Sequence, residues 1–429
     1  MNDYLTYLEK YNHNIKNIFA KNLKHNLKII YNFSQERKEK VYLVGGIVRD
    51  IFLGRNSKDI DIILKEDSQE FAVALLPKLK VAKHRYTEKF LTYNIFTHSG
   101  VGIDIGSFNP ETSISVRNLS STLPIEIEND YSRRDFTINA MYLSFDEKAE
   151  FYDPLNAIED LKNKTIKIIS EKGFEEDPKR IFRAIRLIAR YNFSLEEKTE
   201  QLLKDAVNKN LLSEITSTRL RNDLYTLFNE KNLKAILRKF KEYNIFKFLN
   251  IPNPSDETLE EILKIIRTYY FLHAKEELKI SRGNFIIFYL LKNLSYEDKI
   301  NAIKFLEFSE TTLNNFIFTD REKTELMEKL SLCTKKSEIY KLLSTVSNFK
   351  LLYLFFTEKE NKNKIKKYLF KLITKEPIIT DNDLIEIGLS DEISISENLK
   401  NCFAIQLDIE NPSKEQIIAQ FIEEIKNRN

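Results

Sequence analysis

Tryptophan is absent, and glycine and proline number only nine each in 429 residues. So few chain breakers leave little material for tight turns and bias the chain toward helices. Only two cysteines are present, Cys333 and Cys402, far apart in sequence, and no secretory pattern is read at the start. The expected setting is therefore reducing and cytoplasmic. Metal-binding Cys/His spacing is missing too: His13, His25, His84, His98 and His273 are scattered, with no HxxxH or His-Asp pair. The longest apolar runs, Phe285 to Leu291 and Leu351 to Phe356, are much too short to span a bilayer, so no membrane partner is expected. No charge of one sign dominates either. With 67 basic against 64 acidic residues and a net charge of +3, any surface for a polyanion must be local.

What is present centres on residues 43–61. A short apolar run, Val41 to Val44, ends at Gly45-Gly46, and a brief amphipathic segment carries Arg49 and Asp50. A turn at Gly54 leads into a second apolar run bearing Asp59 and Asp61. Successive side chains of a strand alternate faces, so these two carboxylates share one face, about 6 to 7 Å apart. Such a pair suits hard cations, and a Gly-Gly turn before a helix can offer backbone N–H groups to an anion. A divalent metal beside a phosphate cradle points to phosphoryl or nucleotidyl transfer.

The length predicts two or more domains. Helical spacing over 4–33 predicts helices covering the first strand; strands are expected at 41–44, 59–64, 92–97 and 101–106, with helices near 47–53 and 68–79. Mixed strand and helix signals end near residue 152, apart from a short strand at 165–169, which makes this part α+β. From 175 to about 372 the periodicity is helical almost throughout, with breaks at 250–256 and 293–297, and a final segment follows Pro377. The Lys-rich stretch 359–375 reads as a solvated helix face, with a phosphate-tracking surface as the alternative.

Further chemistry-bearing residues follow in order. Asp104 sits between apolar neighbours on a short strand, either as an edge residue or, beside Asp59 and Asp61, as a third active-site carboxylate. Ser132-Arg-Arg-Asp-Phe-Thr-Ile-Asn-Ala-Met141 reads plainly as a helix start with Asp135 near the cap. Its adjacent arginines, in a chain that otherwise prefers lysine, suit phosphate. Asp177-Pro178 predicts an N-cap and first turn, after which Arg180, Arg183, Arg186 and Arg190 align on one helix face and Ile181, Ile185 and Ile188 on the other. Like charges on one stripe repel by roughly a few tenths of a kcal/mol per pair, so a compensating anion is expected. Asp177 only accepts hydrogen bonds and Arg180 only donates them. One turn apart, the pair complements the amino donor and ring-nitrogen acceptor that cytosine and adenine share. Guanine and uracil present the reverse order, and the mismatch would leave polar groups unpaired.

These segments together resemble a known family. Val-Gly-Gly-Ile-Val-Arg-Asp with Asp-Ile-Asp, Arg-Arg-Asp-Phe-Thr-Ile-Asn-Ala-Met, Asp-Pro-Leu-Asn and Glu-Asp-Pro-Lys-Arg are similar, in order, to the motifs of class II tRNA nucleotidyltransferases. That is the CCA-adding family, which also contains bacterial poly(A) polymerases. The match covers roughly 41–190, with Thr218-Arg-Leu-Arg-Asn-Asp223 as a weaker fifth motif. The resemblance implies an α+β, polymerase-β-like head (1–165), then an all-α neck (166–225), body (226–372) and tail (373–429) touching tRNA. It implies addition of C, C and A to tRNA 3′ ends from CTP and ATP, without a template and with release of pyrophosphate. Asp59 and Asp61 would bind Mg²⁺, Gly46, Arg49 and Arg134 would meet the nucleotide's phosphates and sugar, and Asp177 and Arg180 would read the base, helped by Arg183 and Arg186.

Some residues depart from the pattern. Asn156-Ala157 stands where many members carry two glycines, the glycines usual after the tail entry (380–388) are missing, and no appended His-Asp phosphohydrolase signature is present. CC-only addition, A-only addition and poly(A) synthesis are alternatives within the family. The long interval from Asp61 to Arg134 leaves room for a mobile loop, which speaks against a loop-shortened CC-only enzyme. A DxD glycosyltransferase leaves the Gly-Gly turn and the arginine helix unexplained. A non-catalytic RNA-binding descendant would more readily have lost Asp59 or Asp61. The oligomeric state is expected to be monomer or homodimer.

Overall fold

The computed structural model describes residues 4–65, 67–88, 91–108, 125–273, 281–389 and 391–426. The chain divides into two compact units, Met1–Glu214 and Ile215–Asn429.

The first unit is built on a seven-stranded sheet: β1 (Val41–Val44), β2 (Asp59–Leu64), β3 (Val81–Thr87), β4 (Thr92–Thr97), β5 (Gly102–Ser107), β6 (Tyr142–Ser144) and β7 (Phe151–Tyr152). Their order is β3-β4-β5-β2-β1-β6-β7, and only the β2–β5 pair is parallel. Four of these strands, one a continuous apolar run and three with partial alternation, match the expected ones to within a residue. β3 is an addition, because Ala82, Lys83, His84 and Arg85 are all exposed on an edge strand with no apolar face. β6 and β7, of three and two residues, are too short for periodicity to register.

Helices α1 (Tyr4–Leu8), α2 (Ile15–Ile18) and α3 (Lys21–Arg37) precede the sheet. They are tied to it by Tyr4 Oη, which donates to the Ser144 carbonyl at 2.8 Å, and by Gln35 Nε2, which donates to the Phe145 carbonyl at 2.9 Å. Two more short helices, α4 (Gly46–Phe52) and α5 (Ser68–Leu75), follow β1 and β2. Ile60, Ile62, Ile103 and Ile105 fill one face of the sheet, where α3 and α5 pack against β2, β4 and β5. The other face is covered only in part: Ile127 of α6 (Ile125–Asp130) joins Tyr42, Val44, Ile63, Phe108 and Tyr142 there. Asp59, Asp61 and Asp104 lie on the uncovered remainder of that face.

The segment 132–141 holds the end of one 3-10 turn, Tyr131–Arg133, and a second, Thr137–Asn139, rather than the helix expected, since the chain must drop at once into β6. Its apolar residues Phe136, Ile138 and Met141 are nonetheless fully buried. Next, α7 (Ala157–Lys162) is started by Asp153, whose carboxylate accepts the Ala157 and Ile158 N–H groups at 2.7 and 3.0 Å. Asn156 there has φ +57°, the left-handed conformation that glycine adopts freely and asparagine tolerates. The expected strand at 165–169 shrinks to β8 (Thr165–Ile166), paired with β9 (Ser194–Leu195), a short strand inside the stretch read as helical. Helices α8 (Gly173–Glu176), α9 (Arg180–Tyr191) and α10 (Glu197–Asn208) complete the unit.

The second unit is all helical among its described residues, from α11 (Ser217–Phe228) to Lys414–Lys426. Helix breaks fall where expected, between Phe248 and Asp256 and between Leu290 and Tyr296. Arg221 of α11 donates through Nη1 to the Leu306 carbonyl at 2.8 Å, satisfying the end of the helix Tyr296–Phe305. In the Lys-rich stretch Lys362, Lys366, Lys367 and Lys371 are exposed while Tyr368 is buried, so the aromatic residue faces the core rather than a ligand. Lys364 caps the helix Asp320–Leu332, donating to the Leu330 and Ser331 carbonyls at 2.8 Å each. The last segment has its own core of Ile379, Leu384, Cys402, Ile405, Ile417 and Phe421. Among the described residues no helix is long and apolar enough to cross a membrane.

Candidate active site

Parallel pairing of β2 with β5 sets Asp59 beside Gly102 and Asp61 beside Asp104. Neighbouring strands place partners on one face, so all three carboxylates project together. Gly102 is required for this: a Cβ there would lie 2.6 Å from Asp59 Oδ1. Burial pushes Asp61 up to about 7, and the Asp104 and Asp59 carboxylates add to the rise. Arg134 and the Gly46 N–H oppose it. Asp104 is also raised, by burial and by Asp59, although Asn94 Nδ2 donates to its Oδ1 at 2.7 Å. Negative charge in excess of its protein partners, carried on oxygen ligands, fits a hard divalent cation. Among the described residues no three His, Cys, Asp or Glu side chains form a metal cage by themselves. A cation here would need further oxygens from water or a phosphate, which is how Mg²⁺ is usually held.

The glycine turn lies directly against this group. Gly45 has φ +72°, and a Cβ on it would stand 3.3 Å from Asp61 Oδ2 and 3.9 Å from Arg134 Nη1. Gly46 opens α4, and a Cβ there would meet Arg49 Nη2 at 3.4 Å. Arg134 is held by Asp130, whose Oδ2 accepts its Nε at 2.6 Å, and by the Tyr142 hydroxyl at 3.0 Å. Asp130 is 2% exposed and also accepts from Arg133 Nε at 2.6 Å and from the Tyr142 hydroxyl at 2.6 Å. Burial alone would raise its pKa, but the two guanidiniums and the hydroxyl hold it below the usual value.

Arg49 is buried on the other side of the turn. Its Nη2 donates to the Tyr191 hydroxyl at 2.5 Å, its Nη1 donates to Asn139 Oδ1, and its buried Nε has no partner. The Tyr191 hydroxyl in turn donates to Asp50 Oδ1 at 2.8 Å. Tyr191 is the last residue of α9, and Arg55 Nη1 donates to the Arg190 carbonyl at 3.0 Å. The far end of the arginine helix is thus pinned to α4 and the loop that follows it.

At the near end, α9 begins at Arg180 rather than at Pro178. Asp177 still closes the turn, its Oδ1 accepting the Lys179 N–H at 3.2 Å, and its carbonyl accepts the Arg180 N–H at 2.9 Å. Arg180 is buried against Glu176 at 3.5 Å and donates through Nη2 to the Arg133 carbonyl at 3.2 Å. Arg183 is paired with Asp135 at 3.1 Å, while Arg186 is half-buried and Arg190 exposed. Protein carboxylates therefore supply part of the compensation expected from a ligand. Ile181, Ile185 and Ile188 are buried as their spacing predicts.

The structure brings Gly45, Gly46, Asp59, Asp61, Asp104 and Arg134 into one cluster and joins α9 to it through Arg133, Asp135 and Tyr191. Sequence reasoning does not single out Asp130, Tyr142, Tyr191 or Gly102. They carry no motif of their own, and pairing across more than 100 positions, as between Arg49 and Tyr191, leaves no local signal. The loop expected between Asp61 and Arg134 has its 109–124 segment outside the described residues.

A paired-carboxylate strand beside a glycine turn, on a mixed sheet with one face only partly covered, defines a nucleotidyltransferase head. Residues 41–167 match the model of the poly A polymerase head domain, and 192–255 that of a probable RNA and SrmB-binding site of polymerase A. The chain is 32% identical to the A-adding tRNA nucleotidyltransferase of Aquifex aeolicus, over 78% of this chain and 40% of that protein. It is 25% identical to the A-adding enzyme of Halalkalibacterium halodurans, over 94% and 92%. The structure of a Thermotoga maritima CCA-adding enzyme complexed with tRNA superimposes with a TM-score of 0.69, at 27% identity over 99% of both chains. These matches support the class II tRNA nucleotidyltransferase and poly(A) polymerase family for this chain. It spans about two-fifths of the length of the Aquifex relative.

Proposed function

We propose that this protein adds C, C and A to the 3′ end of tRNA from CTP and ATP, without a template and with release of pyrophosphate. The observation that carries this is the junction of two unlike groups: carboxylates at a glycine turn, and an acceptor–donor pair, Asp177 and Arg180, at the start of a helix anchored to it. In this reading Asp59 and Asp61 hold a divalent ion, with Asp104 beside them. A Mg²⁺ bound there supplies charge neutralisation at the phosphate under attack. The Gly45-Gly46 turn, Arg49 and Arg134 bind and orient the triphosphate and sugar. Asp177 accepts from the amino group of cytosine or adenine, Arg180 donates to the neighbouring ring nitrogen, and Arg183 and Arg186 steady the pair. The 3′-hydroxyl of the RNA then attacks the α-phosphorus in line, the new O–P bond forming as the bond to pyrophosphate breaks.

Residues 166–225 act as the neck carrying base selection, 226–372 as the body, and 373–429 as a tail that touches tRNA. Such a substrate fits a cytoplasmic protein. A-only addition is the second reading, supported by the names of the two relatives above. Incubation with tRNA lacking its 3′ end, ending in C or ending in CC, each with CTP or ATP, decides between them. Extension of all three acceptors is expected. Extension of the CC-ended acceptor alone establishes A-addition, and extension of none overturns the proposal.

A further inference from the structure

The face that bears the carboxylates continues outward past them. Asp61 lies beside Asp104 on β5, Asp104 beside Asn94 on β4, and Asn94 beside Arg85 on β3. A second row runs from Asp59 through Gly102 and Phe96 to Lys83. Directly paired residues share a face, so both rows carry the site over three strand spacings, about 14 Å.

The outer part of this face has a different chemistry from its centre. Lys83 and Arg85 are exposed, and Phe96 is left 42% exposed, with Lys83 Nζ 5.2 Å from its ring centroid. On the reverse face of the inner strands, Tyr93, Ile95 and Ile103 are buried, so the sheet has an apolar side available that Phe96 does not use. Charges on an edge strand guard against edge-to-edge pairing, which accounts for Lys83 and Arg85 taken alone. It does not account for Phe96, which sits on β4, a strand paired on both sides. A partly exposed aromatic ring beside one cation and diagonal to a second is the pattern that single-stranded nucleic acid uses, bases stacking on the ring and phosphates meeting the cations. The acidic centre repels RNA, so a strand that must reach it gains from positive charge along its approach.

We infer that Lys83, Arg85 and Phe96 form a ledge that holds the single-stranded 3′ end of the RNA acceptor as it approaches the carboxylates. The inference rests on the nucleotidyl-transfer reading and names the path of its RNA substrate. The test uses full-length K83E/R85E, F96A and F96W with a tRNA transcript ending in CC. RNA affinity is measured without nucleotide across a salt series, and AMP incorporation from ATP is measured separately. K83E/R85E should raise the KM for RNA about tenfold, leave the KM for ATP within about twofold, and flatten the log–log salt slope of RNA binding by about 1.4, two phosphate contacts on a single strand. F96A should weaken RNA binding at least about fivefold, whereas F96W, which restores a stacking surface, should stay within about twofold of wild type. Unchanged RNA KM and salt slope in K83E/R85E, or equal behaviour of F96A and F96W, overturns the ledge. If wild type binds RNA with a ledge-dependent salt slope but incorporates nothing, the functional proposal falls and the ledge stands. If incorporation is normal in both K83E/R85E and F96A, the reverse holds.

Discussion

The carboxylate strands and the arginine helix meet in one unit yet balance their charge differently. At β2 and β5 negative charge is crowded, and burial, joined by Asp104 and Asp59, pushes the proton affinity of Asp61 upward. Along α9, by contrast, Arg180 and Arg183 already lie against Glu176 and Asp135. A sheet can hold like charges at fixed spacing because its backbone hydrogen bonds, not its side chains, set the geometry. A helix stripe is softer, and its long arginines take nearby carboxylates when no ligand competes. In the proposed reading the first region would take a cation, while the second would have to exchange partners to receive a base.

That contrast can be broken at its strongest point first. D59A or D61A should lower incorporation of both CTP and ATP by about 10³-fold or more while RNA affinity stays near wild type. Loss of only one nucleotide would place selection, not chemistry, at β2. Next in size, D130N removes the buried partner of Arg134 and should cost about 3 kcal/mol of unfolding free energy in urea titrations. The Asp130 pKa is depressed in the fold, so its contribution is fully present above the unfolded value of about 4 and is lost as pH falls through the folded value. D130N should therefore show a flatter stability profile below about pH 4 than wild type.

G102A probes the same strands more gently. Its Cβ would displace the Asp59 carboxylate, and a shift of about 1 Å in a reacting group can lower kcat by up to about 10²-fold. A fully active G102A would show that Asp59 need not stay where it is. On the helix side, D177A should relax preference for C and A over G and U by about tenfold, with total incorporation less affected. Unchanged selectivity in competition assays would remove Asp177 from base reading. The smallest effect is expected from Y191F, which keeps the ring but loses the hydroxyl between Arg49 and Asp50. It should cost about 1 kcal/mol in thermal unfolding and raise the KM for nucleotide a few-fold.

Much of this site is legible in the order of residues alone. Asp59 and Asp61 share a face because strand alternation leaves no other choice, and Ile181, Ile185 and Ile188 are buried because their spacing marks one side of a helix. β3 is not legible, because an edge strand wet on both sides has no apolar period. The Asp-Pro signal sets the start of α9 two residues too early, since Asp177 caps through Lys179 and Pro178 lies in the turn before the helix. Asn156, a departure from the family's double glycine, takes the left-handed conformation that a glycine there would also allow.

By itself the sequence determined the types of chemistry: two carboxylates on one strand, a glycine turn before a helix, and an acceptor–donor pair at the head of an arginine stripe. These are local matters, set by alternation and helical period within about one turn or strand. Only the tertiary structure decided which groups meet. The parallel register of β5 on β2 brought Asp104 and Gly102 to the pair, and the folding back of α9 placed Tyr191 on Arg49, 142 positions away. Contacts across such intervals arise from the packing of whole elements, whose geometry no short window of residues contains.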